Sequence, residues 1–382
     1  VLLASHWEEK KYYLAQRFDK LNQQETVIIY KSGAESATLL RGRNYEWVSY
    51  NGHPSIYVTT DSVVNAAEIT SGLIAALNAP RLERVLVLGF GTGITAGTAA
   101  CYFDHTDVVE LNNAFYQMIP ELRHANMGIE FNSSADLNLC DARTFLYNRH
   151  HEYDVIVNSI PAPTYFSASK IYTLQFFSRI SDVLKSDGIY CTWLSPYDMS
   201  EQGMQLLLST IQSQFSVCQL YLLRGNYYMA VCSKKPVVPC AFHDLPACPA
   251  VESALKKGWS RLQLNDYCED ICLSENIFLF KELDNPQQNT DDFPRLEFML
   301  ARHYQTGELG EDPFITDMDN YHIDLLRGLD TASAARKAER ALTMKRLQSK
   351  LLDRVMIPYL KNDVAAWKIW KNPRLKQENP QL

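Results

Sequence analysis

The chain has 382 residues, 46% of them hydrophobic and 21% charged, with a formal net charge of −7. Those proportions exclude a disordered or fibrous polymer and allow a core large enough for two or three domains. No stretch reaches the roughly 18 uninterrupted apolar residues of a membrane span, so the chain is read as soluble. It opens Val1-Leu2-Leu3, without an initiator Met or a signal-peptide pattern, as a fragment or a processed product does.

Residues 1–60 read as a helical start followed by a small β unit. Strands are expected at 26–30, 36–40 and 45–50; Asn51-Gly52 is a hairpin-turn signal, and 56–58 is the partner strand beyond it. From 61 to 236 helices alternate with apolar strands. The helices are expected at 66–77, 95–102, 114–124, 172–184 and 201–215, and the strands at 85–88, 107–110, 153–158 and 188–193. Such alternation predicts a mainly parallel sheet with helices on both faces, whose ligands sit at the carboxyl ends of the strands. Segments 217–223 and 227–232 flank Arg224-Gly225-Asn226 as a hairpin that closes the sheet.

Four prolines between 236 and 249 mark a domain boundary. Residues 237–330 read as a mixed, mostly helical extension with a polar, proline-containing stretch at 284–294. The tail, 331–382, holds 12 Lys/Arg against 4 Asp/Glu, which leaves −15 on the preceding residues. An acidic body is a poor nucleic-acid binder. The tail has an apolar stripe of Leu342, Leu347, Leu351, Leu352, Val355 and Met356, ended near Pro358. It suits either a packed helix with a solvated charged face or contact with a membrane surface, a membrane domain or an acidic partner.

Nine cysteines are an odd number. Cys101, Cys140, Cys191, Cys218 and Cys232 lie in or beside apolar runs and are read as buried thiols. For Cys240, Cys248, Cys268 and Cys272, with His243 nearby, structural thiols, one or two disulfides and a metal site all stay open. Only Cys268-x3-Cys272 approaches zinc-ligand spacing, and no metal is assigned.

The chemistry concentrates where Val85-Leu-Val-Leu88 runs into Gly89-Phe-Gly-Thr-Gly93, a helix follows, and Val108-Val109 ends in Glu110. Gly89, Gly91 and Gly93 allow positive φ and bring backbone amides close to a ligand, and a carboxylate at the next strand end can accept both ribose hydroxyls. The run fits the Gly-x-Gly-x-Gly of S-adenosylmethionine (SAM) enzymes from Gly89, and a dinucleotide Gly-x-Gly-x-x-Ala from Gly91 to Ala96. Thr92 projects from the turn. Asp141, in Cys140-Asp141-Ala142-Arg143, caps a short helix, accepts from an adenine amino group, or does both. Asn158-Ser159-Ile160-Pro161 then leads a strand into a polar turn past which a transferred group would move. Asn158, Ser159, Tyr165, Tyr172, Tyr197 and Asp198 are the candidates for the acceptor side, with core packing or capping as the alternative for each.

Gly89-Phe-Gly-Thr-Gly-Ile-Thr-Ala-Gly97, Val108-Val-Glu-Leu111, Asp141-Ala-Arg143, Tyr153-Asp-Val-Ile-Val157, Tyr172-Thr-x-x-Phe-Phe177 and Trp193-Leu-x-x-Tyr-Asp-Met-Ser200 together resemble the spermidine-synthase-like proteins. The nearest subgroup is the bacterial one whose synthase-like domain follows a multi-span membrane segment. The resemblance covers about residues 26–235, and Asn289-Thr-Asp-Asp-x-Pro-x-Leu-Glu-Phe298 is similar to a segment near the end of those domains. It implies a class I SAM-methyltransferase-type α/β fold, Rossmann-like, behind a small N-terminal β unit. It places Glu110 on the ribose, Asp141 and Ala142 at the adenine, and Gly89, Gly91, Thr92, Gly93 and Asn158 around the rest of the cofactor. The dinucleotide reading is then excluded. The implied ligand is SAM or a related adenosyl thioether, decarboxylated SAM or methylthioadenosine.

Two departures from the family pattern bear on the activity. Aminopropyltransferases carry an acid in the glycine turn, where this chain has Thr92, and an Asp-x-x-Asp pair after the fourth strand, where it has Ser159 and Ala162. A protonated amine needs a base, and a polycation needs carboxylates to replace its hydration. The expectation is therefore a SAM-dependent methyltransferase on a small acceptor. The alternatives are a non-catalytic nucleoside-binding regulatory domain of a membrane protein, and an aminopropyltransferase with relocated acids such as Glu68 or Asp198. The remaining expectations are a cytoplasmic location, as the soluble part of an inner-membrane protein, a homodimer, and no nucleic-acid partner.

Overall fold

Four short strands build a first sheet. In the computed structural model these are β1 (Thr26–Ser32), β2 (Glu35–Arg41), β3 (Tyr45–Tyr50) and β4 (His53–Thr59), paired antiparallel in sequence order. Residues 26–32, 35–43, 45–50, 53–59, 66–160, 168–194, 201–223, 227–274 and 287–299 are described. The Asn51-Gly52 turn, Ala162, Tyr165, Tyr197, Asp198 and the basic tail lie outside them. Ala37, Leu39, Val48 and Val58, fully buried, give the sheet its apolar face.

The second sheet holds β5 (Arg84–Leu88), β6 (His105–Glu110), β7 (Ala135–Leu139), β8 (Tyr153–Asn158), β9 (Leu184–Leu194), β10 (Val217–Leu222), β11 (Tyr228–Ser233) and β12 (Cys272–Ser274). Its order is β12-β10-β11-β9-β8-β5-β6-β7. The run β7-β6-β5-β8-β9 is parallel, and β11 inserts antiparallel between β9 and β10. Val85 to Leu88 and Val155 to Val157 are wholly buried, as strands covered on both faces must be. The chain leaves β5 toward β6 and β7 on one side, then returns to place β8 on the other. That reversal opens a crevice above β5.

The helices follow the expected alternation: α1 (Ala66–Asn78), α2 (Ile94–Ala100), α3 (Asn113–Met118), α4 (Ala142–Leu146), α5 (Leu174–Val183) and α6 (Glu201–Gln212). The helix expected over 114–124 ends at Met118 and tightens into a 3-10 turn, Ile119–Leu122, because Pro120 brings no backbone donor. That expected over 172–184 starts at Leu174, where the Thr173 hydroxyl caps it by accepting from Phe176 N. Strand β7 was not foreseen, since an edge strand with exposed positions shows no apolar run.

Beyond Pro236 the chain stays on the sheet. Gln219 Nε2 donates to Val237 O at 2.8 Å and Cys240 N to Leu77 O at 2.8 Å. Two helices, α7 (Pro249–Lys256) and α8 (Arg261–Asp270), then lead into β12, which pairs antiparallel with β10. Asn289, fully buried, fastens the last described segment: it donates to Thr210 Oγ1 and Tyr172 O and accepts from Leu174 N and Leu296 N.

At the amino ends of the parallel strands charges pair with one another. Asp154, wholly buried, accepts from Arg81 Nε at 2.8 Å, Lys185 Nζ at 2.9 Å and Arg84 N at 3.0 Å. Asp107 accepts from Arg84 at 3.0 Å and from the Tyr153 hydroxyl at 2.7 Å. The first sheet is clasped to α3 and its 3-10 extension by Glu46, which takes Arg41 at 2.6 Å and His124 at 3.2 Å, while Arg41 also meets Glu121. Among the described residues no helix is long and apolar enough to cross a membrane.

Candidate functional site

The tops of β5, β6, β7 and β8 are brought level by backbone bonds that run past the strand ends. Gly89 N donates to Val109 O, Cys140 N to Glu110 O and Ser159 N to Leu88 O, at 2.9, 3.0 and 2.9 Å. Gly89, Glu110, Asp141 and Ser159, distant in sequence, therefore share one rim. The site lies on the crevice above β5.

The glycine turn is forced by its own geometry. Gly89, Gly91 and Gly93 have φ of 85°, 53° and 81°, and Gly93 N closes the turn on Phe90 O at 2.8 Å. A Cβ at Gly93 would lie 2.4 Å from the Phe90 ring, which itself packs edge-on against Tyr116. Farther along α2, Gly97 lets Asn126 O approach to where a Cβ would be 2.1 Å away. Thr92 sits within the turn at 2% exposure, so the expected projection of its side chain is not what the fold provides. Buried there, it contributes neutrality more than a hydroxyl offered to solvent.

Glu110 occupies the end of β6 with one close amide on each carboxylate oxygen. Oε2 accepts from Phe90 N and Oε1 from Asn112 N, each at 2.8 Å. The first bond joins the carboxylate to the glycine turn; the second comes from the residue whose side chain caps α3 by accepting from Ala114 N. Burial pushes the Glu110 carboxyl up from its ordinary value, and the amides of Asn112, Phe90, Gly91 and Leu111 oppose that rise. Each oxygen keeps a lone pair for one further donor. Two such pairs suit vicinal hydroxyls.

Asp141, an exposed residue, caps α4, its Oδ1 accepting from Thr144 N at 3.0 Å and from the Thr144 hydroxyl at 3.3 Å. The capping reading is thus realised, and the second oxygen can still face a ligand. Ala142 follows as the half-buried first residue of α4. Leu111 and Leu139, 51% and 54% exposed, stand beside Glu110 and Asp141 as an apolar ledge absent from the sequence reading. An exposed Leu directly after a strand-end carboxylate was the available signal.

On the acceptor side two of the candidates are buried. Asn158 is fully buried, donating to Thr192 Oγ1 at 3.3 Å and accepting from Ile160 N at 3.2 Å. Tyr172, 1% exposed, donates its hydroxyl to Ile160 O at 2.7 Å. Both side chains thereby hold the turn after β8 through the backbone of Ile160. Ser159 is half-buried at the rim. Glu68, in the first turn of α1, is half-buried, and its carbonyl accepts from the Thr95 hydroxyl at the start of α2.

Arg143 bonds outside α4. It grips Asp291 with two hydrogen bonds, beside a cavity of about 520 Å³ lined by Thr144, Tyr147, Gln175, Phe176 and Arg179. The Asp291 carboxyl falls below its ordinary value, burial opposing the bond to Arg143 that lowers it. The segment similar to the family's late motif is thereby a brace for α4 and α5.

A five-strand parallel core with a reversed penultimate strand, a glycine turn on the first strand and a carboxylate on the second define a class I SAM-methyltransferase-type, Rossmann-like fold. Residues 72–238 match the spermine/spermidine synthase domain. Over those residues the chain is similar to spermidine synthases. It is 34% identical over 122 residues to a polyamine aminopropyltransferase 2 of Bacillus cereus, a match covering 30% of this chain and 33% of that one. To a polyamine aminopropyltransferase of Agathobacter rectalis it is 27% identical over 213 residues, covering 52% and 69%. A crystal structure of spermidine synthase in complex with the transition state analogue AdoDATO aligns at a TM-score of 0.49 with 16% identity, covering 55% and 73%. The chain spans about a third of the length of the Bacillus cereus relative it matches.

Proposed function

We propose that this protein binds an adenosyl sulfonium or thioether ligand above β5 and β6 and, with SAM, transfers a methyl group to a small acceptor. The observation that carries the reading is the union of Glu110 with the glycine turn through Phe90 N, beside a neutral Thr92. The residues fit the ligand. Glu110 offers two lone pairs to ribose hydroxyls, Asp141 Oδ2 can accept from an adenine amino group, and the positive-φ turn lets a methionine-like tail lie against backbone.

The sulfonium of SAM supplies an already activated carbon. The protein's own work is then to hold the nucleoside end fixed, to keep the rim after β8 in one shape through Asn158 and Tyr172, and to admit the acceptor in line. Ser159 cannot act as a strong base at neutral pH, which suits methyl transfer better than removal of a proton from a polyamine. A carboxylate at position 92 would repel the carboxylate of intact SAM and attract the amine of the decarboxylated form. Thr92 does neither.

A second reading is favoured by the names of the relatives: aminopropyl transfer, with decarboxylated SAM as donor and its acids drawn from elsewhere in the chain. Titration calorimetry with SAM, decarboxylated SAM and methylthioadenosine separates the two. SAM binding at least tenfold tighter than its decarboxylated form supports methyl transfer. Binding of the decarboxylated form in preference restores aminopropyl transfer, and no heat from any of the three ligands overturns both.

A further inference from the structure

The amino ends of β6 and β7 carry a side-chain cluster that the ligand rim does not use. His105 and Asp107 lie two residues apart on β6, so they share one face of the sheet, and Asp136 on β7 is the register partner of Asp107. His105 Nε2 is 3.4 Å from Asp107 Oδ2 and 3.5 Å from Asp136 Oδ2, and the three donor atoms all lie within 4.8 Å of one another. Both separations are longer than the roughly 2.7–3.2 Å of a hydrogen bond from nitrogen to oxygen. They match the spacing of about 3.4 Å between neighbouring donors around a tetrahedral ion whose bonds are about 2.1 Å long.

Two other groups show what sets this one apart. Glu46, Glu121 and His124 have a similar composition, but the Arg41 guanidinium already joins the two carboxylates, at 2.6 and 2.9 Å. Asp154 is filled by Arg81 and Lys185. Among the described residues no Lys or Arg pairs with Asp136, and no other three His, Cys, Asp or Glu side chains bring their donor atoms so close. Asp107, 5% exposed, is held in place beforehand: its Oδ2 accepts from the Tyr153 hydroxyl at 2.7 Å and from Arg84 at 3.0 Å, outer bonds of the kind that orient a ligating carboxylate. Arg84 also meets Glu152 at 3.0 Å, so its charge stays compensated when a cation takes a share of Asp107. His105 and Asp136 are partly exposed and give an ion its way in.

We propose that His105, Asp107 and Asp136 bind a divalent transition metal of the zinc class, through one imidazole and two carboxylates with water in the fourth position. The imidazole selects against magnesium and calcium, which take oxygen donors. The ion clamps the edge strand β7 to β6 at the end opposite Glu110, and β7 leads at its other end toward Asp141. Its role is structural. The unfolded chain scatters the three donors, so the metal favours the folded state.

The intact chain, stripped with EDTA, is titrated with zinc chloride by calorimetry, and its thermal midpoint is read with and without the metal. The nine cysteines are free thiols that also take up zinc, so two variants at partly exposed positions decide between sites, His105→Gln and Asp136→Asn. The midpoint of the native chain should rise by roughly 5 °C at about a hundredfold excess of zinc over its dissociation constant. Each variant should melt with the native chain when no metal is present, lose most of that rise, and bind zinc about tenfold or more weakly. A smaller loss in either variant places the zinc elsewhere and overturns the proposal, as does the absence of heat with the native chain.

Discussion

At the amino ends of the parallel strands Asp154 is held by two cations and an amide, whereas at the carboxyl ends Glu110 is held by two amides. Both carboxylates are nearly or wholly buried. Side-chain cations consume a carboxylate's charge within the fold. Amides fix a carboxylate in place and leave its charge and lone pairs for something that arrives later. One end of the sheet thus closes its charges on one another, and the other leaves its carboxylate open to a further donor.

The largest effect that would test this contrast is at the closed end. Asp154→Ala removes three hydrogen bonds and leaves the Arg84 amide without its acceptor, while Arg81 keeps Asp187 and Lys185 keeps Glu83. It is expected to cost about 3 kcal/mol in urea denaturation. Nucleoside affinity of the folded fraction should stay within about twofold, since the damage lies at the far end of the strands. A variant that loses affinity more than stability would erase the distinction between the two ends.

At the open end the balance reverses. Glu110→Gln keeps an acceptor for one of the two amides but gives up the charge and one ribose acceptor, so calorimetry should show nucleoside affinity falling about 100-fold with modest change in stability. Unchanged affinity would refute the ribose contact. Thr92→Asp comes next. With circular dichroism confirming the fold, SAM affinity should drop about tenfold and that for decarboxylated SAM should rise, by Coulomb repulsion and attraction at short range.

The smallest effect concerns the clasp between the sheets. The His124 pKa is raised from 6.5, chiefly by the hydrogen bond to Glu46, while the Glu46 pKa is lowered from 4.5, with burial opposing the bonds from His124 and Arg41. A raised histidine stabilises fully below 6.5, and the gain is lost as pH rises through its folded value. A lowered carboxylate stabilises above 4.5, and that gain is lost as pH falls through its folded value. The clasp is therefore strongest between about pH 4.5 and 6.5 and should weaken toward pH 8. Because His124 is substantially exposed, the change should stay under about 1 kcal/mol, and His124→Gln should abolish that slope in denaturation measured from pH 6 to 8.

The open end was legible in the sequence because its parts are local. A buried strand, a glycine turn and a strand-end acid each announce themselves within a few residues, and their order implied the crevice. Asp154 gave no such warning, since Arg81 and Lys185 lie far from it along the chain and only strand register brings them together. Thr92 and Asn158 were located but not oriented: type and position were visible, whereas direction depends on φ and on neighbours such as Thr192. Strand β7 escaped notice because an edge strand does not need an apolar run.

The return of the chain to the sheet after Pro236 bears on how this protein can be cut for study. A fragment ending near Ser233, where the proline-rich stretch invites truncation, would uncover the edge of β10 that β12 pairs and remove the four hydrogen bonds made by Asn289. A bare apolar edge recruits a second copy of itself. Such a fragment would tend to associate or precipitate on expression, and an oligomer measured on it would report the cut and not the protein.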